Sequence, residues 1–443
     1  MKSSTKIRKL SSLALAAGVA VLLSAAVQAA NQPPINMVIN QSPWFEGFSK
    51  TVELYEQETG NEVNLDVTPY VGVLEKIRNS VRAPEGNYDV VAITSHWLAS
   101  TYADGVLTPI NDIDPDYRLD SGILDYDDTT YWNSGSSTFD SSGQLMSIPI
   151  NGNVQVLYYR ADLYEELGLK VPQTWDELLA NAKALQKPPR QYGMALVGER
   201  SAIGYYAAPF IFNHGGSIFK DPKVGDFSVT LNSPQSLEGL EALIKLAEEG
   251  SYPNAGAVSQ GKLIQLLTTG KAAQGIGVIA AWSSMDDPDK SLVVGKIAVA
   301  PLPKSPTGRE GTGAGHWVAG IPANVPDANK RAALAFLDWL TQYKNQLVYT
   351  ENGAVPVRND LGDSELAKLP QFRFIAPLMK ASESAFIITP LKEGPEVHEV
   401  LNLRLNQAVI GELSAREALN TAAREIHEIV SRAGHKTAEL APL

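Results

Sequence analysis

Four tryptophans stand in turns where their rings could do chemistry. Gln41-Ser42-Pro43-Trp44-Phe45-Glu46-Gly47 follows an apolar run, Ser95-His96-Trp97 follows a second, and Ala281-Trp282-Ser283-Ser284 a third. His316-Trp317 comes after the glycine-rich run 311–315. In open α/β sheets, ligands bind beyond the carboxyl ends of strands. An aromatic ring placed there can stack on the apolar face of a sugar ring, while neighbouring groups such as Gln41, Glu46, His96 and His316 meet its hydroxyls. One tryptophan alone is more often core than contact, so the reading depends on the four loops meeting at one edge.

Other chemistries find little support. The chain has no Gly-x-Ser-x-Gly elbow and no His-Glu-x-x-His, and Gly270-Lys271 is followed by Ala272 where a phosphate loop needs Ser or Thr. Gly275-Ile276-Gly277-Val278-Ile279-Ala280 mimics a dinucleotide fingerprint, but it reads as a strand entering a tryptophan loop, without the strand-then-helix context. Seven acids crowd between Asp112 and Asp128; Tyr117 and Ile123 occupy the positions where a calcium loop needs glycine and glutamate, so a solvated acidic loop is expected. The six histidines lack metal-ligand spacing, and His398, His427 and His435 fall on what reads as exposed helix or tail. No metal and no cofactor is expected. A pair of carboxylates suited to glycoside hydrolysis is invisible in sequence, which keeps an exported carbohydrate-active enzyme as the rival reading.

The elements that must position these loops alternate. Ile35–Ile39, Glu62–Val67 and Tyr88–Ile93 read as strands, separated by helices over Gly47–Thr59 and Val71–Ala83. This βαβαβ order predicts a mostly parallel sheet with covering helices. Thr174-Trp175-Asp176-Glu177 and Ser414-Ala415-Arg416-Glu417 are capping boxes. Ser233-Pro234 starts a helix whose Leu237, Leu240, Leu243 and Leu246 form a core stripe. Leu419, Ala422, Ile426 and Val430 form another.

Lys2, Lys6, Arg8 and Lys9, the apolar run Leu13–Leu23 and the small residues around Val27-Gln28-Ala29 compose a cleavable signal peptide, 1–29. The chain contains no cysteine, which excludes disulfides, thiolate metal sites and a lipid-anchored cleavage site, and points to a Gram-negative periplasm. The formal charge of −12 becomes −16 once the leader's four basic residues are removed, an acidic balance unsuited to nucleic acid or anionic lipid.

Leu145–Leu179, with its Pro149, the turn Asn151-Gly152-Asn153, the run Leu157-Tyr158-Tyr159-Arg160 and the helix at Thr174, resembles the solute-binding proteins of ABC transporters. The resemblance is to the sugar-binding, maltose-binding-protein-like family 1. Further matches are Tyr88–Val91 with Leu98, Tyr102, Gly105 and Pro109, then Gly270–Trp282, and Gly353-Ala354-Val355-Pro356-Val357-Arg358. Gln274 stands where the family usually has methionine, and Ala280-Ala281 precedes Trp282 where it has Gly-Pro or Gly-Ser.

The resemblance implies a two-lobed α/β periplasmic binding protein fold, type II-like, with a mostly parallel sheet in each lobe and the ligand cleft between them. It implies an N-terminal lobe of 30–145 plus 310–360 and a C-terminal lobe of 146–309 plus 361–443. It also implies that Ser95, His96 and Trp97 line the cleft, that Tyr205 or Tyr206 stacks on ligand, and that Trp282 forms the floor. Asn151 and Asn153 either contact ligand or shape the turn, and Arg358 is either a ligand contact or structural. With Gln41, Trp44, Glu46, His316 and Trp317 these residues make up the candidate site. The function implied is hinge-closing capture of a carbohydrate or polyol, an acidic sugar included, by a monomer that delivers it to ABC permease subunits. A binding subunit for a sensor is the remaining alternative.

Overall fold

A computed structural model of the chain describes residues 32–305, 308–438, 440 and 442–443; the expected signal peptide lies outside the described residues. Two sheets are built from β1 (Ile35–Asn40), β2 (Val63–Thr68), β3 (Val90–Thr94), β4 (Ser147–Asn151), β5 (Gln155–Arg160), β6 (Gln274–Val278), β7 (Ile297–Ala300) and β8 (Trp317–Gly320). Around them pack α1 (Phe45–Thr59), α2 (Tyr70–Arg82), α3 (Trp175–Leu185), α4 (Ile203–Asn213), α5 (Pro234–Gly250), α6 (Ile375–Ser382), α7 (Gly394–Val409) and α8 (Ala415–Arg432).

The first sheet has the order β2-β1-β3-β8-β4. β1 is parallel to both β2 and β3, as the βαβαβ pattern requires, and every residue of β3 is buried. α1 ends at Gly60, whose φ of 73° lets its amide return to the Glu56 carbonyl before β2 begins. β8 runs antiparallel to both β3 and β4, so β4 points the same way as β1 to β3.

The second sheet has the order β6-β5-β7, and β5 is antiparallel to both neighbours. Beyond β6, Ala195 and Tyr192 add single parallel bridges to Gly275 and Ala272. The expectation of mostly parallel pairing therefore needs correction in this lobe: β6 and β7 share a direction, but the reversed strand lies between them. The cause is common to both sheets. β5 and β8 are the strands that enter directly after a passage from the other lobe, and each inserts against the grain of its host sheet.

The passages meet at one place. Val154 and Ala314 bridge each other, and the Gly152 backbone lies so close to the third passage that a Cβ there would be 2.3 Å from the Pro356 carbonyl oxygen. Because β4 is paired into the first sheet, the chain leaves that lobe at Gly152–Val154, later than the boundary expected at residue 145. Both capping boxes form, with the Glu177 amide on Thr174 Oγ1 at 3.2 Å and the Glu417 amide on Ser414 Oγ at 3.2 Å. The leucine and alanine stripes of α5 and α8 are core, since Leu240, Leu243, Leu246, Leu419, Ala422, Ile426 and Val430 are all buried. A buried Leu or Ile of this kind stabilises the fold by about 1.5–3 kcal/mol.

Candidate functional site

The ends of β1, β2, β3 and β4 and the start of the reversed β8 lie at one edge of the first sheet. Asn40 closes β1 and Trp44 follows it, Tyr70 follows β2, Ser95, His96 and Trp97 follow β3, Asn151 closes β4, and His316 immediately precedes Trp317, the first residue of β8. Three of the four tryptophans gather here with Tyr70. The Trp97 ring is 5.8 Å from Trp317 and 4.8 Å from Tyr70, Tyr70 is 6.0 Å from Trp317, and Trp44 is 6.5 Å from Trp317. Trp44, Trp97 and Trp317 are buried, whereas Tyr70 is 42% exposed and offers an accessible ring at the mouth.

The second lobe closes over this floor. The His96 ring lies 4.6 Å from His398 of α7 and 5.4 Å from Tyr205 of α4. Ser283 Oγ donates to the Pro43 carbonyl at 3.0 Å, and Lys290 reaches Glu46 at 3.3 Å, so both lobes touch along the Trp44 loop.

Between these walls, several buried polar atoms have no protein partner: Asn40 Oδ1, Ser42 Oγ, both ring nitrogens of His96, Asn151 Nδ2, His316 Nδ1 and His398 Nδ1. Leaving such an atom unpaired costs about 1–3 kcal/mol, and together these atoms offer donors and acceptors that a polar ligand could satisfy. All are neutral groups. Burial holds His316 down at about 3 and His398 at about 4, and burial with the neighbouring His398 and His316 holds His96 well below the ordinary histidine range.

His316 is oriented from behind. Its Nε2 is 2.8 Å from Thr129 Oγ1, and Thr129 in turn donates to Asp125 Oδ1 at 3.2 Å. The threonine proton is thus committed, so Nε2 carries the hydrogen and Nδ1 is left as an acceptor facing the cleft. Asp125 also accepts from Thr130 Oγ1 at 2.6 Å, and burial raises its carboxyl to about 6. The reading of 112–128 as a solvated acidic loop is corrected there, because Asp125 is an internal anchor.

Several candidates occupy other roles. Arg358 is 6% exposed, and its guanidinium is consumed by Asp360 at 2.7 Å, Asp120 at 2.9 Å and the Thr341 carbonyl at 3.1 Å; of the two readings, structural is the one its contacts support. Trp282 stands apart from the other tryptophans, packed on Phe374 at 5.4 Å, with the Arg373 guanidinium 4.5 Å above its ring and its Nε1 on the Gln371 carbonyl. Asn153 spends both ends of its amide on the Ala280 amide and the Gly315 carbonyl, tying the passages together. Ser95 Oγ donates to the Ala314 carbonyl, and Tyr206 reaches Gln260 on its own lobe. Gln41 is exposed, and Glu46 is an exposed ion-pair partner of Lys50 and Lys290. Asn151 uses Oδ1 to hold the Asn153 amide, which shapes the turn, and its buried Nδ2 has no protein partner.

Sequence reasoning passed over Asn40, Tyr70 and His398. Asn40 and Tyr70 obey the same strand-end rule that picked out the tryptophans. His398, expected on an exposed helix, is instead turned into the lobe boundary. Among the described residues, no group of His, Asp or Glu is arranged to hold a metal ion.

The sequence model of the bacterial extracellular solute-binding proteins matches residues 39–347. The chain belongs to that family. Members of the family are binding proteins. The mannitol-binding protein of Pseudomonas aeruginosa is 24% identical over 387 residues, covering 82% of this chain and 84% of its own. Among solved structures, an ABC transporter solute-binding protein of Agrobacterium radiobacter in complex with ribitol superposes with a TM-score of 0.77 at 24% identity, covering 90% of this chain and 98% of that one. Maltose-bound MalE3 of T. maritima gives 0.75 at 22% identity, covering 89% and 99%. These likenesses place the solute-binding protein in the two-lobed fold. No helix among its described residues is long and apolar enough to cross a membrane.

Proposed function

We propose that this solute-binding protein captures a neutral polyol or single sugar in the periplasm and delivers it, as a monomer, to an ABC permease. The observation that carries the reading is the set of uncharged, buried, unpartnered polar atoms from Asn40, Ser42, His96, Asn151, His316 and His398, set above the aromatic floor of Trp97, Trp317 and Tyr70. Hydroxyls both donate and accept, which matches a wall offering asparagine oxygen, asparagine amide and neutral imidazole together. The mannitol-binding relative and the ribitol complex bind molecules of this class. An acidic sugar fits less well, because Arg358, itself a candidate contact, and Arg373, which stacks on Trp282, are committed to Asp120, Asp360 and Asp286. Close approach of His96 to His398 and Tyr205 favours a small ligand over an oligosaccharide.

Closure follows from the ligand touching both lobes, which stabilises the closed form by the difference in its affinity for the two states. Calorimetric titration of the folded protein with mannitol, ribitol, glucose and galacturonate tests the assignment. Saturable binding of a neutral member is expected. A folded protein that binds only the sugar acid, or none of the panel, contradicts it.

A further inference from the structure

A cavity of about 380 Å³ lies apart from this cleft, between α4, α7 and the segment 217–223. Part of its wall is apolar, formed by Ile211, Ile218, Leu401 and Leu405, while Asp127, Lys220, Asp221, Lys223 and Arg309 bring charge to the rest. One cation reaches it without an acid beside it. The Arg309 guanidinium lies 3.6 Å from the centroid of the Phe212 ring, and Phe212 stacks on Phe386 at 4.1 Å. At the rim Lys223 pairs with Asp127 at 2.9 Å and Lys220 lies 3.6 Å from Asp226, while the Asp221 carboxylate is exposed to solvent and belongs to no ion pair among the described residues. Asp127 belongs to the first lobe and also takes the Ile387 amide at 3.2 Å, so the cavity opens along the boundary between lobes.

Stacking on Phe212 engages only the face of the guanidinium and leaves its in-plane N–H groups to make hydrogen bonds. Burial depresses the arginine, the direction expected of a cation lacking a counter-charge. A planar fork of donors at the edge of an apolar chamber selects a ligand with a carboxylate at one end and hydrocarbon at the other. We propose that this cavity is a second ligand site, taking a small organic carboxylate with an apolar body, its carboxylate on Arg309 and its hydrocarbon against Ile211, Ile218, Leu401 and Leu405. The site is independent of the polyol reading and stands or falls without it.

The test is calorimetric titration of octanoate into the full folded protein, the Arg309→Gln variant and, as a chemical control, 1-octanol into the unchanged protein. Octanoate is expected to bind saturably, with Arg309→Gln weakening it by about 10-fold, the ratio corresponding to one lost charge-assisted hydrogen bond. Thermal unfolding of Arg309→Gln, expected to stay cooperative with only a small downward shift from the lost Phe212 contact, confirms that the variant is folded. Three results overturn the proposal: no saturable octanoate binding, binding of 1-octanol as tight as octanoate, or octanoate binding within 2-fold in folded Arg309→Gln. None depends on whether any polyol binds.

Discussion

Acid should destabilise this protein through its cleft histidines, and His398→Gln should remove a measurable part of the effect. His316 and His398 are held at about 3 and about 4, and His96 well below the ordinary range, all chiefly by burial. A histidine whose folded value lies under its unfolded value of about 6.5 takes up its proton first in the unfolded chain, so stability falls as pH drops below that value. From pH 6.5 to 4.5 each histidine that stays neutral costs about 2.3 kcal/mol. Asp125 works in the opposite direction. Raised to about 6, it takes a proton in the folded state first and returns roughly 2 kcal/mol over the lower part of that window. The net loss from His316, His398 and Asp125 is about 3 kcal/mol, and His96 adds to it. His96 and His398 face each other across the lobe boundary at 4.6 Å, so separation of the lobes is the cheapest way for the protein to admit the protons. Urea unfolding at pH 7.5, 6.5, 5.5 and 4.5, for the unchanged protein and for His398→Gln, isolates the term, because the carboxylates elsewhere cancel in the comparison. The variant should lose about 2–3 kcal/mol less between pH 6.5 and 4.5. Parallel stability curves, or a steeper one for the variant, would refute the reasoning.

Tyr70→Ala should lower stability by about 0.5–1.5 kcal/mol through its lost contacts with Trp97 and Trp317 and weaken ligand binding by about 3- to 10-fold, the range expected for one lost stacking contact; unchanged affinity in calorimetry would remove Tyr70 from the floor. Arg358→Met should leave Asp120 and Asp360 without their shared cation and lower urea stability by roughly 1–3 kcal/mol, with ligand affinity within 2-fold. A large affinity loss at full stability would restore a ligand role to that arginine. Lys290→Ala removes an exposed ion pair from the lobe boundary and should weaken affinity by less than about 5-fold, an effect that vanishes at high salt in the same titration.

Much of this arrangement was legible in the chain because it depends on local rules. Strand ends, capping boxes and leucine stripes are written in short windows, and Trp44, Trp97 and Trp317 came to one edge because each follows or opens a strand of one sheet. Trp282 obeyed the same rule yet went elsewhere. Its neighbours Phe374 and Arg373 arrive from a segment some ninety residues later, and no local pattern announces them. Arg358 was ambiguous for the same reason, since one of its two carboxylate partners, Asp120, lies far away in sequence. His398 was misplaced because nothing in the residues around it announces that this part of α7 meets His96 of the other lobe. The reversed strands β5 and β8 were likewise out of reach, since their direction is set by where the chain passes between lobes and not by their composition.

The central claim is that the ligand lies at the edge formed by β1, β3, β4 and β8, beneath His398 and Tyr205. A crystal structure with the tightest-binding neutral member of the panel tests it directly. Ligand hydroxyls should lie within hydrogen-bonding distance of Asn151 Nδ2 and His316 Nδ1, with the carbon chain or ring against Trp97, Trp317 or Tyr70. A ligand seated instead on Trp282, with Asn151 and His316 still unpaired, would contradict the account.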